Sequence, residues 1–370
     1  MNRMRLSSES VLESFFPVIG KTPNTFSKRW NHVAASAMLW ALTGLSSGAE
    51  PMLTQTVSLQ AGWNAVFVEL DPMKTVPADL FAGLPIDVAA GFSSSAKPAQ
   101  FVVDPTADML MAYGWNVWYS PRRADHFLST LSAIQGGNPY LIHATTNTQL
   151  VIEGTIAPDL FAWTPDAYNF VGFSVASQGG PTFAEFFSGS AAHDTNKIYR
   201  MVNGTWRLVT DPAGTAMRAG EAFWIYCKGS SSMRGPVDFS TGSKGGVVLS
   251  SSVGTEIVLR NNTQHPVTVT LEHIVDAAAP VPLISSITIY DLEHSIIQEA
   301  GVTLGNDGWS MQLPPIEAVS GVRFPLALDR QRADFSIRTS LIKATTDLGT
   351  ITYLPVTAFG LEPETASGEP

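Results

Sequence analysis

The sequence predicts an all-β protein with a few short helices: two tandem, divergent β-modules followed by an immunoglobulin-like antiparallel β-sandwich. Three observations carry this expectation. The first is composition, with 30 Gly and 24 Pro in 370 residues, 45% hydrophobic and only 15% charged residues. Abundant turn formers and scarce helix-favouring charged residues suit short strands joined by many turns. The second is an internal repeat. Gly62-Trp63-Asn64 returns as Tyr168-Asn169, and Phe81 follows Asn64 at the same spacing as Phe186 follows Asn169. The pairs Trp118-Tyr119 and Tyr199-Arg200 come next, and the closing runs are Gly137-Asn138-Pro139-Tyr140-Leu141-Ile142 and Gly220-Glu221-Ala222-Phe223-Trp224-Ile225. Ordered landmarks of this kind report a repeated structural unit. The third is the period-two alternation of short apolar runs from Val247 onward, with no convincing helix among them.

The chain opens with a segment that reads as a signal peptide with a long n-region, residues 1–49. Lys28-Arg29 precede the uncharged run Val33 to Leu45, and the small residues Ser46-Ser47-Gly48-Ala49 follow. A positive flank, a short apolar core and a small-residue cleavage site form the secretory pattern. The run is too short to span a bilayer comfortably, so the mature chain is expected to carry no membrane span. The expected location is extracellular, cell-surface or periplasmic.

β-module 1 is placed at 50–155. Val57 to Asn64 reads as a strand entering a turn, and Ala65 to Leu70 as a second strand. Pro77 to Phe81 has a short helical character, with Thr75 as a capping residue. Pro98 to Val103 and Val117 to Tyr119 read as strands. The spacing of Phe127, Leu128, Leu131 and Ile134 predicts a helix over 126–134, ended by Gly136-Gly137. Tyr140 to His143 and Gln149 to Glu153 are expected to close the unit as an antiparallel pair.

β-module 2, at 156–240, repeats this order. Asn169 to Val175 is a strand and Thr182 to Phe187 a helical turn. Ile198 to Val209 reads as a hairpin, because Asn203-Gly204 supplies the two positive-φ residues of a type I′ turn. The linker falls at 241–246. The β-sandwich follows at 247–358, with Asn261 to His265 expected as a hairpin loop, and a polar flexible tail occupies 359–370.

Charge and motifs narrow the function. A net charge of −10 with no Lys/Arg cluster argues against nucleic acid as a partner. The single Cys227 excludes an intrachain disulfide framework and a multi-cysteine metal site; inside an apolar strand it reads as a buried small hydrophobe. No nucleophile elbow, paired-histidine zinc motif, phosphate loop or calcium-loop spacing is present, so no catalytic residue, metal ligand or cofactor is assigned. Glu69 with Asp71 share a strand face and could act as paired carboxylates, but a solvated strand end before Pro72 is the more economical reading. His193-Asp194 could be half of an acid/base pair, but an exposed loop before Lys197 is the better reading.

The aromatic residues carry the one functional reading with physical content. Flat rings on a β-scaffold can stack on sugars. Tyr113, Trp115, Trp118 and Tyr119 crowd into one short strand, with Trp115, Val117 and Tyr119 on one face and Trp118 on the other. These four are the candidate glycan-binding residues. Trp63, Trp118, Trp206 and Trp224 sit at repeat landmarks, where a core role is the more economical reading. The landmarks Gly62-Trp63-Asn64, Trp118-Tyr119, Tyr140-Leu141-Ile142 and Phe223-Trp224-Ile225 resemble β-modules of bacterial secreted and cell-surface proteins. In those modules a Gly-Trp-Asn strand opens, and a strand ending in Tyr-Trp-Ile or Tyr-Leu-Ile closes, each unit. The resemblance covers 50 to 240 and implies no catalytic residues. The expected function is a non-catalytic exported structural or adhesive protein, not an enzyme. Its expected partners are glycans or other surface proteins. The alternative is an accessory carbohydrate-binding component of a polysaccharide-degrading system.

Overall fold

A computed structural model describes residues 50–92, 114–157, 161–193, 197–241, 246–249, 255–275, 281–291, 296–303, 308–329 and 337–359. The expected signal segment, the expected strand at 98–103, linker residues 242–245 and the tail beyond 359 lie outside the described residues. What is described is almost entirely antiparallel sheet, as expected.

The first lobe is two facing sheets. β1 (Leu53–Leu59), β7 (Thr148–Ile156) and β3 (Leu70–Pro72) pair in that order. The second sheet runs β2 (Gly62–Val68), β6 (Asn138–Ala144), β4 (Ile86–Phe92), β5 (Trp115–Tyr119). Alternation along each strand sends Val57, Leu59, Leu150 and Ile152 from one sheet against Val66, Val68, Tyr140 and Ile142 from the other. The expected antiparallel pairing of Tyr140–His143 with Gln149–Glu153 is corrected: β6 pairs with β2 and β4, while β7 pairs with β1 and β3. The link between β6 and β7 is therefore a corner that crosses between sheets, as is the Gln60-Ala61 step between β1 and β2. The two corners brace each other through Ala61 N, which donates to Asn147 Oδ1 at 2.8 Å.

The second lobe carries one sheet in the order β8 (Ala167–Gly172), β11 (Ala222–Cys227), β9 (Ile198–Val202), β10 (Thr205–Leu208). Counted along the chain, that is the order of the β2-β6-β4-β5 sheet. The matching counterpart of β5 is β10, so Trp118 corresponds to the Trp206 strand rather than to Tyr199-Arg200, which sits in β9. Asn203 and Gly204 adopt φ of 50° and 73° between β9 and β10, the expected primed turn.

Short helices α1 (Pro77–Leu80) and α2 (Phe183–Phe186) follow the first strand of each lobe's repeated sheet. Thr182 and Glu185 form a full capping box on α2. Val76, not Thr75, stands at the α1 cap and gives no side-chain bond. The helix expected over 126–134 is absent; only His126–Leu128 makes a 3-10 turn. The chain instead runs extended along β5. Thr130 Oγ1 accepts from Val117 N at 3.0 Å, Ser129 Oγ accepts from Tyr119 N at 3.0 Å, and Thr130 N donates to Val117 O at 2.7 Å. Hydroxyl side chains that satisfy a sheet edge compete directly with helix hydrogen bonds, and here they win.

The third lobe is a sandwich. One sheet orders β12 (Val237–Ser240), β14 (Thr255–Asn261), β19 (Gly321–Leu328), β16 (Leu283–Asp291) and β17 (Ile296–Thr303). The other orders β13 (Val247–Leu249), β21 (Ile351–Phe359), β20 (Ile337–Thr346), β15 (Val269–Val275) and β18 (Ser310–Gln312), with β13 parallel to β21. Ile257, Leu259, Val269, Leu271, Leu326, Ile342 and Val356 fill the space between them. The expected hairpin at Asn261 to His265 is an arch, because β14 and β15 belong to different sheets. Asn261 holds it, donating to the carbonyls of His265 at 2.8 Å and Ile316 at 2.9 Å.

The described residues form one compact unit. Phe67 N donates to Gly220 O at 2.9 Å between the first two lobes. Ile351 N donates to Ser174 O at 2.9 Å, and Ala176 N to Gly349 O at 2.8 Å, between the second lobe and the sandwich.

Candidate functional site

The strand that carries the candidate aromatic face is buried on both sides. Trp115 and Trp118 are each 8% exposed and Tyr119 is 9% exposed; Tyr113 lies outside the described residues. The side assignment holds. Trp118 faces the first lobe's own core, with its ring centroid 5.3 Å from Phe81. Trp115, Val117 and Tyr119 face the other way, where they meet Phe170, Trp206 and Trp224 of the second lobe. Trp115 lies 5.2 Å from Phe92 and 6.0 Å from Phe170, while Phe170 stacks on Trp224 at 5.0 Å. Rings enclosed in this way offer no face to a sugar, which corrects the stacking reading of Trp115, Trp118 and Tyr119. The reason is the neighbouring sheet: an aromatic surface on one module is covered by the aromatic surface of the next. Each large ring so buried contributes roughly 2–3 kcal/mol.

The repeat landmarks split into two roles. Asn64 Oδ1 accepts from Gln60 N at 2.9 Å, and its Nδ2 donates to the carbonyls of Gln60 at 2.8 Å and Gly62 at 2.9 Å. Asn169 does the same one module later, accepting from Thr164 N at 2.7 Å and donating to Thr164 O and Ala167 O. Each asparagine pins the turn that leads into its strand. The aromatic beside it, Trp63 or Tyr168, points to the seam between the lobes and is only half-buried.

A polar cluster stands next to Trp63. His143 on β6 shares a 2.5 Å hydrogen bond between Nδ1 and Asp87 Oδ1. Asp87 Oδ2 accepts from Arg123 at 3.1 Å. Arg123 also clamps Asp125 in bidentate fashion at 2.9 and 2.8 Å, and its guanidinium lies 5.3 Å from the Tyr119 ring centroid. The Trp63 ring meets His143 edge-on at 5.1 Å. The β4 ladder shifts register between Ile86 and Val88, and such a bulge re-aims the side chain it carries, here Asp87. Side-chain exposures of 30% for His143, 21% for Asp87, 38% for Arg123 and 34% for Asp125 leave the cluster open to solvent. Sequence reasoning missed it because Asp87, Arg123 and His143 are far apart along the chain. The available signal was a lone charge in each of two apolar strands, Ile86-Asp87-Val88 and Leu141-Ile142-His143.

The other polar candidates are structural. Asp71 Oδ1 accepts from Gly136 N at 2.7 Å, whereas Glu69 turns into the junction of the lobes beside Ser174 and Lys343, so the two carboxylates do not converge. Burial raises the Glu69 carboxyl, against the lowering effect of the Ser174 hydrogen bond and of Lys343. His193 is buried, not in an exposed loop, with Nε2 3.1 Å from Ser231 Oγ and its ring against Trp163 at 4.2 Å. Cys227 is buried, and desolvation pushes its thiol up. Among the described residues no group of three or more His, Cys, Asp or Glu could hold a metal ion, and no helix is long and apolar enough to cross a membrane.

No protein-family model matches the chain, and no curated protein matches it. Solved structures with some likeness include the ASH / PapD-like domain of human CEP192, at 10% identity over 35% of this chain and 87% of that one, TM-score 0.21. The Salmonella enterica SafA pilin in complex with the SafB chaperone matches at 12% identity over 36% of this chain and 56% of that one, TM-score 0.22. DIP-gamma IG1+IG2 matches at 12% identity over 45% of this chain and 83% of that one, TM-score 0.17. Likeness at these TM-scores carries no argument about function.

Proposed function

We propose that the chain is a non-catalytic, exported structural or adhesive component of a bacterial surface, built from two Gly-Trp-Asn-type modules and a sandwich. One observation carries this reading. The rings that a binding module would present to a ligand are used to join the lobes, with Trp115, Phe170, Trp206 and Trp224 in a shared core. Such a joint resembles a domain core cut in half, which favours a fixed spacer over hinged domains that close on a substrate. The positively flanked apolar run at Val33–Leu45 supports export.

Fractionation of bacteria expressing the full chain with a C-terminal epitope tests the reading. Surface or periplasmic recovery of a shortened mature form, lost on protease treatment of intact or osmotically opened cells, is expected. Full-length protein confined to the cytoplasm overturns it.

A further inference from the structure

The cluster around His143 lies where the two modules meet. A methyl group built on Gly204 would stand 3.6 Å from the Trp63 backbone nitrogen, so the β9–β10 turn, with exposed Asn203 at its tip, abuts Trp63. Seams between domains are preferred places for ligand sites, because two surfaces converge there on one solvent-accessible crevice.

The chemistry of the cluster selects a ligand. His143 Nδ1 lies 2.5 Å from Asp87 Oδ1, a hydrogen bond that fixes the half-exposed imidazole in place. Arg123 carries more N–H donors than the two carboxylates take, and it is partly exposed. Asp125 keeps acceptor capacity at 34% exposure. Trp63 adds a half-buried indole ring beside His143, at the other edge of the sheet from Arg123 and Asp125. Acceptors and donors side by side, fixed by mutual hydrogen bonds and flanked by an aromatic ring, match the alternating hydroxyls and apolar C–H face of a pyranose. Two carboxylates flank the single guanidinium, so the cluster has no positive excess that would favour a phosphate or sulfate group over a neutral sugar.

We propose that Trp63, His143, Asp87, Arg123 and Asp125 form a binding site for a neutral saccharide at the module seam. This inference rests on the surface reading above and specifies what that surface contacts. It moves sugar recognition from the buried Trp115 and Trp118 to the half-exposed Trp63, on the opposite edge of the same sheet.

The test is a titration of the purified mature chain, followed by tryptophan fluorescence and calorimetry. The probes are cellotriose, maltotriose and triacetylchitotriose, with heparin as a polyanionic comparison. At least one neutral trisaccharide is expected to bind saturably, with Kd on the order of 0.1–1 mM, as befits a small open site. Trp63→Ala and His143→Ala are expected to weaken that binding at least tenfold. His143→Gln, which keeps a hydrogen-bonding side chain, is expected to recover part of it. Far-UV circular dichroism and the melting temperature of each variant establish that it is folded, and Asp125→Asn, on the exposed rim, provides a variant with little bearing on packing. Absence of saturable binding by any neutral trisaccharide overturns the proposal, as does unchanged affinity in Trp63→Ala and His143→Ala. Preferential heparin binding overturns the neutral-ligand assignment. Unchanged seam variants of a chain recovered at the surface remove only this site, whereas cytoplasmic recovery removes the surface reading irrespective of the sugar titrations.

Discussion

Asn64 and Asn169 show how a single side chain can define a module. Each supplies an acceptor and a donor to backbone groups that a tight turn would otherwise leave without partners. Replacing Asn169, which is 6% exposed, by Ala is expected to cost about 1–3 kcal/mol in chemical denaturation, because buried backbone groups lose their partners. Asn64→Ala, in a half-exposed turn, is expected to cost less, since water can step in. His273 makes the opposite case. Its ring is 6% exposed, both nitrogens are buried without partners, and burial pushes it down from 6.5 to about 4. Folding therefore favours the neutral ring. Full stability is present above pH 6.5 and is lost as pH falls from 6.5 through about 4, by on the order of 3 kcal/mol. Urea melts between pH 7 and pH 4 are expected to show that loss in the wild type and a flatter profile in His273→Leu; equal slopes would remove His273 from the account. The repeat position of Asn64 was visible in the sequence. Its partners were not, because nothing in the letters tells which carbonyls a turn will turn inward.

At the scale of elements, alternation and turn chemistry were legible, while the pairing of strands was not. The Asn203-Gly204 turn was readable because two positive-φ residues in succession have few other uses. The corners after β1 and β6 and the arch at Asn261 were not, because a strand that crosses to the facing sheet shows the same period-two pattern as one that folds back on its neighbour. The 126–134 segment deceived for a different reason. Its apolar spacing is helical, but Ser129 and Thr130 have a sheet edge to satisfy, and Phe127 is left 74% exposed. Glu69 occupies another crossing, between β2 and β3, where Gln55 Oε1 accepts from its backbone nitrogen at 2.9 Å. Its carboxyl is raised above 4.5 chiefly by burial, so the fold favours the protonated form. Its contribution is full below pH 4.5 and is lost as pH rises through the raised folded value. Glu69→Gln is thus expected to raise the melting temperature at pH 7 and leave it unchanged near pH 4. A lower melting temperature at pH 7 would mean that attraction to Lys343 outweighs desolvation.

For the whole molecule, the seam between the first two lobes is the feature that no local pattern announced. Its tryptophans were visible, and their alternation placed Trp115 and Trp118 on the right faces, but a heavy face reads alike whether its cover is a sugar or another sheet. Gly172 packs directly on the facing sheet: a side chain there would collide with the Phe67 Cβ and ring. Gly172→Val is expected to destabilise the chain by about 1–3 kcal/mol through overpacking. Phe67→Ala in the same chain, which removes the ring but keeps Cβ, is expected to give a combined cost below the sum of the two single costs, which a double-mutant cycle by denaturation would measure. Simple additivity would show that the two residues do not meet.

The register of β1 with β7 has a consequence in time. Leu53 pairs with Gly154, and Leu59 with Thr148, so β1 waits for a strand that lies roughly a hundred residues later. Loop closure over that distance comes before any reward from the contact, which makes such pairing slow. A ribosome or a secretion pore releases residues in order, and until the segment around Thr148–Ile156 emerges, β1 has no edge to join. The β1–β7 pairing therefore forms only after that segment is available, so a chain made in order postpones the closure of its own first sheet.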